Sequence, residues 1–574
     1  MRLLSVGGAF TPLTKIQGNT ANVSEPATTA IDPYAPKLTL WQRQPQLGWT
    51  LAVFVLTVVL TCAAFPPYDA GEAAYAFALP ALLWAYRRPT FKLFAWVVLG
   101  AQAVAWTILL GWLHHVTWVG LFLLGPFVGL LIGVWYLAAW WTIPRIVGHQ
   151  AMVRIIILLG LAALWVLLEW VRSTLFGGFP WLPLAASQWQ RPLILQSASY
   201  AGAWSVSFIL AFFNVAAAAY AHRIFFEGAK GLRKRSPEFS VALILLMAGA
   251  FPFLSDFLNQ QRVPMARISL VQPYIPQNEK WDSKRALEVL QTIEKVTAES
   301  SRTGAPDFIV WPEAVTPWPL YRDPNVAGWL ESVAKTTGKS VLLGTVYTQP
   351  AGADELWFNG AALVDPVTGV SPELYAKRKL VPFGEYIPLR PILGWLEKVA
   401  PIGGDFQPGN DAHPFLLPVG ASRVAVGVLV CYEDIFPGLA RDSVRSGAEV
   451  LAVLTNNGWF GEGGAAYQHA THSVLRAVET RRPVIRCGNG GWSGWIDEFG
   501  NIRATLKDED GSVYFRGGET VKVSRDLRWR GRQTFYTQHG DWFLVVCAIL
   551  AVVAYYATVM LRPVRPAAPG ETPY

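Results

Sequence analysis

Long apolar segments dominate two regions of the chain, residues 48–257 and 541–561, and a stretch of ordinary globular composition lies between them. The chain of 574 residues is 52% hydrophobic and 15% charged, whereas soluble domains carry roughly 25% charged residues. A bilayer crossing needs roughly 17 to 25 mostly apolar helical residues, because only internal hydrogen bonds satisfy the backbone there. The pattern therefore predicts a membrane protein with one large globular domain.

The apolar regions divide into seven candidate membrane spans before the globular stretch and an eighth after it. The second candidate is short and could instead be a re-entrant segment. The candidates are residues 48–65, 73–86, 93–113, 118–141, 155–170, 201–221, 241–254 and 543–561.

The charges of the connecting loops predict how these spans are oriented. Lys and Arg in short loops stay on the cytoplasmic side of a membrane, and alternate loops here are basic: Arg87, Arg88 and Lys92, then Arg145 and Arg154, then residues 223–235. Loops 66–72 and 114–117 contain neither residue type. The alternation requires the second span to cross, and it places both termini in the cytoplasm. The catalytic domain would lie in the cytoplasm only if the number of spans before it changed by an odd number.

The predicted organisation therefore has five parts. No apolar core beside a cleavage signal is found near the start, so we expect no secretory signal peptide. The parts are a cytoplasmic tail at 1–47, seven transmembrane helices at 48–257, an extracytoplasmic domain at 258–540, an eighth transmembrane helix at 541–561, and a second cytoplasmic tail at 562–574.

The net charge and the cysteines exclude two other classes of protein. The formal net charge is +8, yet the globular stretch has no Lys/Arg run with interleaved aromatics, which argues against a nucleic-acid partner. The cluster Arg233, Lys234 and Arg235 lies between apolar segments, where it orients a membrane protein. Of the four cysteines, Cys62 and Cys547 fall inside predicted spans. The two that remain do not make the disulfide framework of a small secreted domain.

The globular stretch alternates short β-rich runs with segments of helical periodicity, which predicts a mixed α/β fold. A helix is expected after Ser283, with apolar residues at three- and four-residue spacing on one face, and another over residues 468–481. Buried strands are predicted at 266–272, 308–311, 341–347, 424–430 and 450–454.

Three chemically suggestive side chains follow elements of this stretch. Cys431 stands where a predicted strand ends in the polar residues Tyr432, Glu433 and Asp434, a position at which nucleophiles often occur. Glu313 likewise ends the strand Phe-Ile-Val-Trp-Pro-Glu. Lys377 lies in Tyr-Ala-Lys-Arg-Lys-Leu-Val-Pro-Phe-Gly-Glu. Taken singly, Cys431 is interpreted as a buried thiol, Glu313 as a solvated loop acid and Lys377 as a surface lysine.

Their order along the chain, Glu then Lys then Cys, matches the nitrilase superfamily. The chain resembles the bacterial apolipoprotein N-acyltransferases in three sequence motifs, combined with several membrane spans. The motifs are Trp-Pro-Glu, Leu-Val-Pro-Phe-Gly-Glu and Cys-Tyr-Glu. The resemblance covers nearly the whole chain after residue 47, including Phe-Pro-Pro-Tyr-Asp at 65–69, Gly-Phe-Pro-Trp-Leu at 178–182, Ile-Pro-Gln at 275–277, Trp-Asp at 281–282 and Gly-Asp-Trp at 540–542.

The resemblance implies a multi-span α-helical membrane domain plus an α/β nitrilase-like α-β-β-α sandwich domain. It implies that Cys431 takes an acyl group from a phospholipid as a thioester and passes it to the N-terminal amine of S-diacylglyceryl-cysteine in an apolipoprotein. Glu313 then suits the general base and acid role, and Lys377 the stabilisation of the oxyanion.

The same resemblance implies accessory roles for four further residues, a location and a set of partners. Glu385, Tyr432 and Glu433 match accessory active-site positions, and Trp281 matches an aromatic near the lipid entrance. Alternatively the two glutamates support the site through hydrogen bonds and Trp281 caps a core. We expect a monomer in the bacterial inner membrane, with its catalytic domain in the periplasm, no cofactor and no metal.

Other features leave alternatives open. His469 and His472 share one helical face, a spacing compatible with a metal site, but further ligands are missing. Cys487 is a possible second thiol or disulfide partner of Cys431. Asn457 stands where the family usually has Asp. In function, the alternatives are a membrane-tethered amidase or nitrilase acting on small amides, and a non-catalytic lipoprotein-binding relic.

Overall fold

The computed structural model describes residues 45–225, 235–352, 354–394 and 405–561. Both predicted tails, except for the last residues of the first, and most of the basic cluster 233–235 lie outside these ranges. The described residues from Trp49 onward form one compact unit.

Apolar helices make up the first part of the chain and return at its end. They are α1 (Pro45–Ala63), α2 (Leu79–Tyr86), α3 (Phe91–Leu109), α4 (Trp118–Ile146), α5 (Ala151–Thr174), α6 (Ala203–Phe225), α7 (Pro237–Leu258) and α12 (Trp542–Met560). Among the described residues, five of these helices, α3 to α6 and α12, are long and apolar enough to cross a membrane. The shorter apolar segments Leu47–Ala63 and Pro237–Phe251 belong to α1 and α7. The chain is a membrane protein.

The second predicted span folds differently from the others. Residues 73–86 contain part of the 3-10 turn Gly71–Tyr75 and the eight-residue helix α2. At 1.5 Å per residue that helix is about 12 Å long, well short of a hydrocarbon core of about 30 Å. The crossing that the loop charges require at this point stays a prediction.

Within residues 262–526, the described part of the chain forms two six-stranded sheets. Their strands are β1 (Arg262–Gln272), β2 (Phe308–Trp311), β3 (Ser340–Ala351), β4 (Asp354–Asp365), β5 (Gly369–Ala376), β6 (Phe415–Val419), β7 (Ser422–Val430), β8 (Val450–Thr455), β9 (Val484–Gly488), β10 (Gly494–Ile496), β11 (Ile502–Thr505) and β12 (Gly517–Asp526). The first sheet has the order β12-β1-β2-β3-β4-β5 and the second β11-β10-β9-β8-β7-β6. Strands β1 to β3 are parallel to one another, as are β7 to β9.

Helices cover the outer faces of both sheets. They are α8 (Ala286–Gly304) and α9 (Pro324–Thr337) on the first sheet, and α10 (Pro437–Arg445) and α11 (Ala465–Thr480) on the second. One apolar core fills the space between the sheets, and a second lies between the first sheet and its helices. The predicted α-β-β-α sandwich is confirmed. All five predicted strands and both predicted helices are present, with Ala286, Val289, Ile293 and Val296 buried on one face of α8.

The layer outside the second sheet is continuous with the membrane helices. Leu475 and Val478 of α11 belong to the same buried apolar cluster as Leu184 and Leu195 of the membrane part. Every residue of α11 except Tyr467 is buried. The helix layer of the second sheet therefore also forms the contact surface between the sandwich and the membrane bundle.

Candidate active site

The nucleophile candidate occupies a sharp turn at the end of β7. Burial on both faces makes β7 a near-continuous apolar run, as expected for a strand inside a parallel sheet. The strand ends at Val430, and Cys431 begins the 3-10 turn Cys431–Ile435 with a φ of 50°. A positive φ is uncommon for a residue other than glycine. The surrounding contacts must therefore hold Cys431 in this conformation.

Glu433 supplies several of those contacts from inside the turn. Its Oε2 accepts hydrogen bonds from the backbone N–H of Val430 at 2.6 Å and from the Tyr375 hydroxyl at 2.7 Å. Its Oε1 accepts from the backbone N–H groups of Arg378 at 2.6 Å and Lys379 at 3.3 Å. One buried carboxylate thus ties the turn that carries Cys431 to the loop that carries Lys377.

Glu313 reaches the same place from the other sheet. It follows β2 across Pro312, and Ala314 beside it has a φ of 43°, so the chain turns sharply there. Gly344 of β3 permits this close approach, since a Cβ at that position would lie 2.5 Å from the Glu313 Cα. Glu313 as a whole is 6% exposed.

Lys377 lies between two carboxylates. Its Nζ is 3.3 Å from Oε1 of Glu313 and 2.8 Å from Oε1 of Glu385, and the side chain is 1% exposed. Glu385 is fixed in turn, because its Oε2 accepts a hydrogen bond from the backbone N–H of Val381 at 2.8 Å. Burial lowers the pKa of Lys377, but Glu385, Glu313 and Cys431 outweigh it and raise the pKa, so the ammonium is kept charged.

Asn359 of β4 completes this group, and the sequence reasoning missed it. Its Nδ2 donates to Oε1 of Glu313 at 2.9 Å and to Oε1 of Glu385 at 2.6 Å. In the sequence, Asn359 follows the apolar pair Trp357–Phe358 and precedes the apolar run Ala361–Val364. A polar amide at such a position is unusual, since Asn is depleted in strands. That contrast is the one signal from which its role could have been suspected.

The surroundings of Cys431 and Glu313 shift the pKa values of these two groups in opposite directions. Burial and the Glu313 carboxylate raise the pKa of Cys431 to about 12, although Lys377 lowers it. Burial raises the pKa of Glu313, but Lys377, Asn359, Lys280 and a hydrogen bond from Cys431 together lower it below its ordinary value. The resting state is therefore a protonated thiol beside an ionised carboxylate, which is the arrangement a general base needs.

The other two predicted accessory residues are Tyr432, which follows Cys431 in the chain, and Trp281. The Tyr432 hydroxyl donates to the backbone oxygen of Gly178 at 2.9 Å, which connects the nucleophile turn to the Phe-Pro-Trp loop of the membrane part. Trp281 is 47% exposed. Its two interpretations, an aromatic near the lipid entrance and a residue that caps a core, stay predictions.

The two histidines of α11 have separate hydrogen-bond partners. Nε2 of His469 lies 2.8 Å from Oδ1 of Asp434 and 3.1 Å from the backbone oxygen of Cys431. Nε2 of His472 accepts from the backbone N–H of Leu182 at 3.4 Å. Within the described ranges, no three His, Cys, Asp or Glu side chains are grouped as a metal site would need.

Cys487 and Asn457 also have defined surroundings. Both Cys431 and Cys487 are free thiols, and Sγ of Cys487 donates to the backbone oxygens of Val271 at 3.2 Å and Val310 at 3.3 Å. Burial raises the pKa of Cys487 well above its ordinary value. Asn457 accepts at Oδ1 from the Thr455 hydroxyl and lies 3.1 Å from Nδ1 of His469.

Comparisons with known proteins agree with this architecture. Residues 57–216 match the model of the apolipoprotein N-acyltransferase N-terminal domain, and residues 267–518 match that of the carbon-nitrogen hydrolases. An apolipoprotein N-acyltransferase of Geobacter metallireducens is 31% identical over 533 residues, which cover 89% of this chain and 96% of the relative. One from Chlorobaculum tepidum is 30% identical, covering 79% of this chain and 86% of the relative. Among solved structures, an amidase from Nesterenkonia sp. AN1 aligns at 20% identity with a TM-score of 0.33, over 49% of this chain and 99% of the amidase.

A nitrilase-type sandwich joined to a bundle of apolar helices, with Glu, Lys and Cys side chains in one buried cluster, defines a membrane-bound member of the nitrilase superfamily. Within that superfamily, the chain belongs to the apolipoprotein N-acyltransferase family. It is an acyltransferase.

Proposed function

We propose that the enzyme transfers a fatty acyl group from a phospholipid, through a thioester on Cys431, to the N-terminal amine of S-diacylglyceryl-cysteine in apolipoproteins. The convergence of Glu313, Lys377 and Cys431 in one buried cluster carries this proposal. The family to which the chain belongs supports the acceptor, because its members are named for it.

In the first half-reaction, Glu313 takes the proton of the Cys431 thiol as the sulfur attacks the ester carbonyl carbon. The negative charge that develops on the carbonyl oxygen is stabilised by the ammonium of Lys377, since a fixed cation is most effective in a water-poor site. The carbon–oxygen bond then breaks, and Glu313 returns the proton to the departing alcohol. The products are the thioester and a lysophospholipid.

In the second half-reaction, the acceptor amine attacks the thioester carbon. Glu313 takes the proton from the attacking nitrogen, the carbon–sulfur bond breaks, and the proton returns to the thiolate. The product is an amide, and the free thiol is restored. Splitting one transfer into two easier steps predicts ping-pong kinetics.

The apolar helices have a direct purpose in this reaction, because both substrates are lipids. Exposing an acyl chain to water costs about 0.8 kcal/mol per CH₂, so a site beside the bilayer avoids a prohibitive cost. Large apolar side chains exposed on the helices, such as Trp96, Phe122, Ile244 and Val545, support contact with lipid.

Intact-mass spectrometry tests the first half-reaction. After incubation of purified enzyme with a phospholipid of one defined acyl chain, we expect a mass gain of one acyl group. Cys431→Ser should lose this gain, and Cys487→Ala, a buried thiol outside the cluster, should keep it. Adding a synthetic diacylglyceryl-cysteine peptide should remove the gain and acylate the peptide. Release of ammonia from small amides without lysophospholipid would instead identify an amidase.

We further propose that the enzyme is a monomer of the inner membrane with the sandwich on the periplasmic side. The alternating basic loops support this orientation. The native cysteines are all buried, so a cysteine introduced at exposed Glu373 should react with an impermeant maleimide in intact spheroplasts. A cysteine at exposed Arg88, in a predicted cytoplasmic loop, should react only after lysis. The reverse pattern would contradict the orientation.

A further inference from the structure

A second lysine is buried beside the catalytic cluster. Lys280 ends the short helix Gln277–Lys280 and is 1% exposed, whereas Lys284, four residues later, is exposed. Lysine is almost never fully buried unless its charge is paired. The sequence patterns gave this residue no role.

The ammonium of Lys280 holds the turn that carries Glu313. Its Nζ donates to the backbone oxygen of Glu313 at 3.0 Å. The next residue, Ala314, has a φ of 43°, a conformation that costs free energy for a residue with a Cβ. Gly344 contacts the same turn from the β3 side. The turn is therefore fixed between a strand and a buried cation.

The charge of Lys280 also acts on the groups that would exchange protons. Glu313 faces Lys377 and Cys431 as well as Lys280, and Glu385 lies on the far side of Lys377. Burial lowers the pKa of Lys280 to about 8, while Glu313 and Cys431 act to raise it. The lysine therefore belongs electrostatically to the same cluster.

We propose that Lys280 is a positioning residue of this active site, which orients Glu313 through its backbone and helps to keep the Glu313 carboxylate ionised. The proposal rests on the proposed function, since that function makes Glu313 the general base. Lys377 faces the carboxylate from one side, and Lys280 fixes the backbone from another.

Single-turnover acylation of Cys431, followed by intact mass across a range of pH, tests the proposal. A carboxylate base loses activity as pH falls through its pKa, and removing a nearby positive charge raises that pKa. Lys280→Met should therefore lower the acylation rate about 10- to 100-fold, the size expected for a lost charged hydrogen bond. It should also move the acid limb of the rate profile to higher pH.

Two further variants separate the hydrogen bond from the charge. Lys280→Gln can still donate to the Glu313 carbonyl but carries no charge, so we expect a smaller loss of rate with the same shift of the acid limb. Lys280→Arg keeps the charge and should restore the position of the limb. The exposed control Lys284→Met should match the wild type.

The outcomes are decisive even if one variant is unstable. If Lys280→Met melts below the assay temperature, Lys280→Gln decides the matter. An acid limb at the wild-type pH in folded Lys280→Met or Lys280→Gln would overturn the proposal. A wild-type enzyme that gains no acyl mass would instead overturn the proposed function, so the two failures are distinguishable.

Discussion

The environment of Cys431 makes it a poor nucleophile until a base acts on it. With a pKa raised to about 12 by burial and by Glu313, the thiol is protonated at pH 7. Many reactive cysteines are instead activated by a lowered pKa. Here the carboxylate that disfavours the thiolate is also the group that can receive its proton, so in the proposed mechanism the proton is transferred only as the sulfur attacks.

This arrangement predicts opposite effects of Glu313→Gln on reactivity and turnover. Removing the negative charge favours the thiolate, so the pKa of Cys431 should fall and its alkylation by iodoacetamide near pH 9 should become faster. Acylation by phospholipid should nevertheless be lost, because the base is gone. Alkylation profiles of the two proteins against pH provide the measurement. An alkylation midpoint at higher pH in Glu313→Gln would contradict the assignment.

Lys377→Ala should nearly abolish turnover. Loss of one oxyanion donor costs roughly 3 to 4 kcal/mol of transition-state stabilisation in other enzymes, or about 10²- to 10³-fold in rate. Because Glu313 and Glu385 would then share a buried site without the Lys377 ammonium between them, we also expect the pKa of Glu313 to rise. Acyl transfer by Lys377→Ala and by the exposed control Lys335→Ala should be compared. Near-normal turnover of the first would refute the role.

At the scale of elements, the site depends on how closely β3 approaches the turn after β2. A Cβ at Gly344 would lie 2.5 Å from the Glu313 Cα and 2.6 Å from the Pro312 oxygen. Both are backbone atoms, so neither can move aside as a side chain would. The glycine is needed for close approach and not for a positive φ.

Gly344→Ala should therefore displace the Glu313 turn. We expect a loss of stability of about 1 to 3 kcal/mol from overpacking and a larger loss of acylation than that destabilisation explains. Gly328→Ala is the matched control, since nothing lies within 4 Å of the added Cβ in helix α9. It should stabilise the protein by about 0.5 to 1 kcal/mol. Thermal melting in detergent and single-turnover acylation measure the two effects. Equal acylation in both variants would show that β3 tolerates the shift.

At the scale of the whole molecule, the layer outside the second sheet and the membrane bundle share one apolar cluster. Helix α11 is fixed from the membrane side by hydrogen bonds. Trp181 Nε1 donates to Gln468 at 2.8 Å, and the backbone N–H of Ala203 donates to Glu479 at 2.9 Å. Tyr432 adds a contact directly beside the nucleophile. The membrane part therefore helps to build the active-site side of the sandwich.

A fragment of residues 258–540 should consequently lack a protected α11. In the whole protein Arg476 and Arg481 are each 1% exposed, so trypsin should not cleave after them in detergent. In the fragment we expect rapid cleavage at both, because their covering layer is missing and local opening becomes easy. Cleavage after exposed Arg302 at the end of α8 serves as the reference in both samples. Equal protection of α11 in the fragment would show that the sandwich is complete by itself.

The sequence by itself determined the class of the molecule and the three residues of its cluster. Apolar length and strand periodicity are visible directly along the chain, and Glu313, Lys377 and Cys431 were identified because their motifs resemble those of the nitrilase superfamily. The sequence alone left the roles of Glu385 and Glu433 open. A carboxylate beside a motif has no visible partner until the chain is folded.

Only the tertiary structure decided which ordinary residues join the cluster. Asn359 lies inside a strand and Lys280 ends a short helix, and both reach Glu313 through contacts between elements that are distant in sequence. It also decided that residues 73–86 form a turn and a short helix. These results depend on which side chains are buried and which groups they contact. Both depend on packing in three dimensions, which periodicity along the chain does not encode.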